Sequence, residues 1–243
     1  MTTLATPAQL ERIATLVSRF SSLPFAPPAS VPGAVVESII AEVRGATRLE
    51  TYDFVDVVKP AEGIGWQVKS TMAKTPVTWK RAKIPFADDL IQGSKTPSGV
   101  QKLGDAIIEF CNEHARQSLK DYGLSEIGYS RLVVNEDLSA LYFERSLVTA
   151  KQPNLFSTKE FTWKWSEPKK TKTKEQLPAL HGTHVPTKKK WWAWHGLGEN
   201  QLHFSGEGAW WPQKFDHAIK FSLPSLADRM TMQDLIEFLG TAK

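Results

Sequence analysis

A single cysteine, Cys111, is the first scarcity in this chain of 243 residues. One thiol forms no internal disulfide, which excludes a stapled secreted scaffold and makes a reducing cytoplasm the default. It also excludes a zinc site built from several thiolates. Long apolar runs are lacking as well, since none approaches the roughly 18 residues of a membrane span. The opening MTTLATPAQLER has no basic segment followed by an apolar one, so neither a secretory signal nor a membrane partner is expected. No GxxxxGK loop and no nucleophile elbow occurs, which removes the main support for nucleotide-fuelled motors and serine-triad hydrolases. No nucleotide cofactor is expected. What remains is enough chain for one compact domain, or two closely joined ones, around a substantial core.

The charge is uneven. The net +4 conceals 16 basic and 17 acidic groups in residues 1–150, 10 and 3 in residues 151–190, and 4 and 6 in residues 191–243. Tryptophan is equally uneven: seven of the nine (Trp163, Trp165, Trp191, Trp192, Trp194, Trp210, Trp211) fall between 163 and 211. A basic segment interleaved with aromatics suits a polyanion with stackable groups, which is nucleic acid. A solvated loop beside a Trp-rich strand core accounts for the same pattern, and the sequence leaves both open. A division follows, with residues 1–150 as a core and residues 151–243 as a basic, β-rich region packed on it.

Along the core, Leu10, Ile13, Leu16 and Val17 have helical spacing behind Thr6 as N-cap and Pro7 at the first position. A second helix starts at Ser30, with Val35, Val36, Ile39, Ile40 and Val43 on one face and Gly45 as its stop. LETYDFVDVV and IGWQVKS, joined by PAEG, read as an antiparallel hairpin. Residues 97–122 read as a long helix that includes Cys111 in its apolar stripe, so a buried structural thiol is expected. IGYSRLVV and ALYFERSL give a further hairpin. The order of helix, helix, hairpin, helix, hairpin implies an α/β (α+β) core with a mixed sheet and flanking helices. FTWKWS is a short strand, PKKTKTKEQLPALHGTHVPTKKK a basic loop, and the tail a helix from about Thr231 that turns Leu235, Ile236 and Leu239 to the core.

The hairpin holds the chemistry. Gln67 and Lys69 are two apart and share a strand face. With a three-residue turn Ala61-Glu62-Gly63, Val57 falls opposite Gln67 and Val55 opposite Lys69, and alternation then brings Asp53 to their face and sends Asp56 to the other. An acidic residue, a second oxygen ligand and a lysine on one sheet face are the parts required for metal-assisted phosphodiester hydrolysis.

These residues resemble the PD-(D/E)XK nuclease superfamily, and within it the type II restriction endonucleases. In that family an acidic residue stands on one strand of a hairpin, a (D/E)xK tripeptide on the next, and often a further Glu on the preceding helix. The matching residues are Asp53, or alternatively Asp56, then Gln67-Val68-Lys69, and Glu37 on the second helix. Gln67 departs from the usual carboxylate, although some restriction enzymes carry an amide there. The resemblance spans roughly residues 30–85 and implies a restriction-endonuclease-like fold and cleavage of double-stranded DNA. It implies Mg²⁺ held by Asp53 and Gln67, with Lys69 assisting water and phosphate and Glu37 supporting the site. A homodimer would match a palindromic target.

In the basic region, Lys188, Lys189 and Lys190 suit phosphates, and Asn200, Gln201, His203 and Gln213 are candidates for reading base edges. His181 and His184 fall in a segment read as a loop, where their spacing of three is a poor metal site. Two further functions stay open: a non-catalytic DNA-binding protein on a decayed nuclease core, and an RNA-binding or RNA-processing protein using the Trp-rich surface.

Overall fold

The computed structural model describes residues 2–51, 53–73, 75–170, 175–212 and 217–241. Along the chain, helices α1 (Pro7–Ser21) and α2 (Gly33–Arg44) precede strands β1 (Thr47–Arg48), β2 (Val57–Lys59) and β3 (Ile64–Met72). Then come β4 (Val77–Arg81), α3 (Ala87–Gly93), α4 (Pro97–Asp121), β5 (Glu126–Val134) and β6 (Ser139–Thr149). The remainder is β7 (Phe161–Trp165), β8 (Lys169–Lys170), β9 (Glu175–Gln176), β10 (Leu180–His184), β11 (Lys189–Trp194), β12 (Gln201–Phe204), α5 (Glu207–Trp210), β13 (Ala218–Ser222) and α6 (Met232–Thr241). This is an α+β fold with two principal sheets. Among the described residues no helix is long and apolar enough to cross a membrane.

The chain forms two compact units, neither continuous in sequence. One holds residues 1–75, 118–151 and 212–243, and the other residues 76–117 and 152–211. The chain passes between the units four times, since β4 joins the second sheet, α4 is divided near its C-terminal end, and β13 returns to the first sheet.

The first unit is a six-stranded mixed sheet in the order β1-β2-β3-β5-β6-β13, in which β3 and β5 run parallel and the other pairs antiparallel. Helix α1 begins with a capping box: the Thr6 side chain accepts from the Gln9 N–H and the Gln9 side chain accepts from the Thr6 N–H. Gly45, at φ +57°, closes α2 in the left-handed region where glycine carries no Cβ penalty. Leu10, Ile13 and Val17 of α1 and Val36, Ile39 and Ile40 of α2 pack on Val57, Ile64, Trp66, Val68, Leu132 and Tyr142 of the sheet. A buried ion pair ties the N-terminal segment to this core. Glu144 accepts from Arg44, Tyr142 and the Ala5 N–H, while Arg44 also donates to the Thr3 carbonyl at 3.0 Å.

The tail helix is present, but it does not face the core as its spacing suggests. Leu235 is buried, whereas Ile236 and Leu239 are exposed.

The second unit is a five-stranded antiparallel sheet in the order β4-β12-β11-β10-β7. Leu103, Ile107, Ile108, Cys111 and Ala115 of α4 are buried, and Gly104 lets the helix approach Trp163, whose ring lies where a Cβ would stand. Residues 180–184, expected within a loop, form a central strand. β10 pairs with β7 through His181↔Lys164 and with β11 through His181↔Ala193.

Candidate active site

A four-residue connection, not a three-residue one, joins β2 to β3. Pro60–Glu62 make one turn of 3-10 helix, and Gly63 at φ +66° takes the left-handed position that completes it. The register is therefore Lys59↔Ile64, Val58↔Gly65 and Val57↔Trp66. This is one residue away from the expected register, and a one-residue slip exchanges the faces of a strand. Val57, Ile64, Trp66 and Val68 accordingly fill the core beneath α1 and α2, and Gln67 and Lys69 stand on the opposite face.

The same slip decides between the two aspartates. The Asp56 N–H donates to the Trp66 carbonyl at 2.9 Å, which carries the ladder on by one and sets Asp56 across from Gln67. Asp56 Oδ2 accepts the Val68 N–H at 2.7 Å and lies 3.9 Å from Lys69 Nζ. Asp53, expected on that face, instead accepts from Thr51 Oγ1 at 2.7 Å and from the Tyr122 hydroxyl. That hydrogen bond raises the Tyr122 phenol above its ordinary pKa by favouring the protonated donor. The structure thus brings Asp56, Gln67 and Lys69 together and leaves Asp53 in a separate exposed cluster.

Gln67 is only 1 % exposed, and its Oε1 has no hydrogen-bond partner. An unmade bond at a buried carbonyl costs about 1–3 kcal/mol, so this oxygen is suited to a ligand it does not find within the chain. Lys69 and Asp56 are about one-fifth exposed along their side chains, open enough for a ligand to reach them. Beside Lys69 in the parallel ladder stands Arg131, its register partner on β5, which is buried and donates to Thr71 Oγ1 at 2.5 Å. Sequence reasoning passed over Arg131. Its signal was a lone charge inside SRLVV, a strand otherwise written in core residues.

Glu37 reaches this site only through an intermediary. Its Oε2 accepts from Arg48 Nε at 3.0 Å, and Arg48 also bonds Glu50. The hydrogen bond that Arg48 donates to Glu37 is the main reason the guanidinium holds its proton more tightly than usual, with smaller contributions from Glu50 and Asp56. Arg48 thus feels both the helical glutamate and the strand aspartate.

The Asp56 carboxylate and the unbonded Gln67 amide oxygen make an all-oxygen donor set. Among the described residues no group of three or more His, Cys, Asp or Glu could hold a metal, so the fit is to a hard ion that keeps most of its waters and uses one or two protein oxygens, as Mg²⁺ does. Zinc, which takes three or four nitrogen or sulfur ligands, does not fit.

In the second unit Lys188, Lys189 and Lys190 are exposed at the β10–β11 turn. Asn200 adopts φ +52° and shapes the β11–β12 turn through its backbone, donating to the His195 carbonyl at 3.0 Å and accepting from the Ala82 N–H at 2.7 Å. Gln201 Oε1 and His203 Nε2 lie 3.1 Å apart. Gln213 lies outside the described residues. The tryptophans largely resolve as core: Trp163, Trp191, Trp192 and Trp194 are buried. Trp192 packs edge-on to Phe156 and Trp79 and tilted against Phe204, with centroids 5.2, 5.6 and 4.6 Å away. They are therefore not a platform on which bases could stack, and Trp211 is the one large exposed ring of the seven. His181 and His184 alternate to opposite faces of β10, which rules out a shared metal.

No family model, curated protein or solved structure matches this chain at a significant level.

Proposed function

We propose that this chain is a Mg²⁺-dependent endonuclease of type II restriction kind, hydrolysing double-stranded DNA in the cytoplasm and working as a homodimer on a palindromic target. The observation that carries the reading is the convergence of Asp56, Gln67 and Lys69 on one sheet face around a buried amide oxygen that lacks a partner. Asp56 and Gln67 would hold the ion, whose chemistry is polarisation of a phosphate oxygen. The Lys69 ammonium orients the attacking water and offsets the charge that builds on the phosphate. Arg131 adds a fixed positive charge on the same face. Lys188, Lys189 and Lys190 contact phosphates, and Gln201 is the candidate for reading a base edge.

A second reading is favoured by one observation. Gln67 is neutral, and Asp56 already accepts the Val68 N–H and faces Lys69, which suits a DNA-binding protein on a nuclease core that no longer cuts. An RNA partner would use a tryptophan surface, and four of the seven rings are buried while Trp211 is exposed. Digestion of plasmid DNA with and without Mg²⁺ separates the two readings. Discrete fragments that vanish in Lys69→Ala support the enzyme, whereas retardation without cutting supports the binder. Undiminished Mg²⁺-dependent cutting by Lys69→Ala refutes the site.

A further inference from the structure

The five-stranded sheet of the second unit has one face filled by its aromatic core and one face open. On the open face a single row of cross-strand neighbours runs Lys164, His181, Ala193, His203 and Thr78, from β7 through β10, β11 and β12 to β4. Ala193 in the centre is short, so the row sags into a hollow between taller side chains. Two adjoining hollows of about 300 and 200 Å³ lie along it and share Ser166, Glu167, His181 and Lys190. His195 joins them at the end of β11, its ring 5.1 Å from that of His203 and nearly perpendicular to it.

We propose that this histidine-lined hollow is a phosphate-backbone grip for duplex DNA whose strength is set by protonation of His181, His195 and His203. The inference rests on the DNA-binding part of the reading above and is independent of cleavage. Among the described residues the charged groups around the imidazoles are Lys164 on β7, Glu167 after it, Lys190 on β11, Glu199 in the β11–β12 turn and Arg81 on β4, the register partner of Gln201. Thr78, Thr183, Ser166 and Gln201 supply only neutral groups. With the imidazoles neutral, these three cations exceed the two glutamates by a single charge, and the hollow attracts a polyanion weakly. Protonation adds three positive charges within one concave surface. Imidazole is the side chain whose ordinary pKa puts this change between about pH 5 and 8. Partial burial, the His195 imidazole and Lys190 hold His203 below its ordinary value, against Glu199, which raises it. Free protein therefore keeps this ring neutral near neutrality, and a bound phosphate, by removing the repulsion, draws a proton onto it. Binding and protonation are linked, so affinity rises as pH falls.

The test uses the full chain without divalent metal and a short fluorescein-labelled duplex, followed by anisotropy. Between about pH 8 and pH 5.5 the wild type should gain roughly tenfold or more in affinity, and its log–log salt slope should steepen by up to about 2.7, since each added phosphate contact contributes about 0.9. The triple variant His181→Gln, His195→Gln, His203→Gln should bind with the same affinity at both pH values. A second measurement needs no substitution: titration calorimetry of the wild type in buffers of different ionisation heat should show net proton uptake on binding. DNA binding with unchanged affinity across this range, or with no proton uptake, overturns the inference and leaves the DNA-binding reading standing. Absence of DNA binding at either pH overturns both. Proton-linked binding without cleavage upholds the grip and removes only the nuclease step.

Discussion

Removing the charge at Asp56 tests the site and the register together. Asp56→Asn keeps a side-chain oxygen to accept the Val68 N–H, so the hairpin retains that 2.7 Å bond. What is lost is the negative charge 3.9 Å from Lys69 Nζ. At an effective dielectric near 20 the gross attraction at that distance is about 4 kcal/mol. Both side chains retain about a fifth of their exposure, and desolvation opposes the attraction, so a net coupling of about 1–2 kcal/mol is expected. A double-mutant cycle of Asp56→Asn with Lys69→Met, read by urea denaturation, should return that coupling energy. In the cleavage assay Asp56→Asn should lower the rate by about 10²–10³ or more, the usual loss when one preorganised charge is removed from the reacting centre. Asp53→Asn is the control. Its carboxylate lies in the exposed cluster with Thr51 and Tyr122, so Asp53→Asn should cost about 1 kcal/mol or less in stability and leave cleavage within a factor of a few. Loss of cleavage in Asp53→Asn with retention in Asp56→Asn would refute the assignment and the register beneath it. A coupling energy of zero would show that Lys69 does not sense Asp56.

Two further outcomes concern the scaffold. Glu144→Ala strips the partner from the buried Arg44 guanidinium and frees the Ala5 N–H. It should destabilise the protein by about 3–5 kcal/mol, which at roughly 2–4 °C per kcal/mol for a chain of this size lowers Tm by about 6–20 °C; a change under about 2 °C by calorimetry would show the pair to be dispensable. Burial pushes the Cys111 thiol from its ordinary 9.0 up to about 12. The native protein should therefore resist alkylation at mildly alkaline pH and react only on unfolding. The unfolded thiol ionises first, so its contribution to stability is intact below about pH 9 and falls by roughly 1.4 kcal/mol per pH unit up to about pH 12. Cys111→Ala should flatten that decline, and rapid stoichiometric labelling of native protein would contradict the burial.

Local signals carried most of the fold, and their limits are visible at two places. Thr6-Pro7 and Gly45 mark helix ends by chemistry confined to a few residues, so α1 and α2 were legible. The parity of the β2–β3 hairpin was not. PAEG can close as a three-residue loop or as a 3-10 turn with Gly63 in the left-handed region, and QVK alternates identically in both. One residue of turn length decides which aspartate meets Lys69, and that residue is chosen by the burial of Val57, Trp66 and Val68 under two helices far away in sequence. KWWAW shows the second limit. Four consecutive buried positions break strand alternation, because the bulge opposite Gly182/Thr183 turns Trp191 to the aromatic face with Trp192 and Trp194, while Ala193 on the open face is short enough to lie below its taller neighbours. No local pattern announces what will cover a face.

The amide at position 67 becomes intelligible once its neighbours are placed. Across the ladder from Gln67 stands one carboxylate, Asp56, and next to Lys69 stands Arg131. Under the proposed function, Asp56 offsets the nearer of those two cations and the remaining positive charge would favour a phosphate. A carboxylate at position 67 would neutralise that excess and bury a second negative charge at 1 % exposure, with no hydrogen bond to hold it. The amide keeps the oxygen ligand and avoids that buried charge. Gln67→Glu should therefore bind the divalent ion more tightly while weakening capture of the DNA phosphate, and the two effects separate cleanly in metal titration and in metal-free DNA binding. If metal-free binding is unchanged in Gln67→Glu, the balance of charge on this face is not what the amide serves.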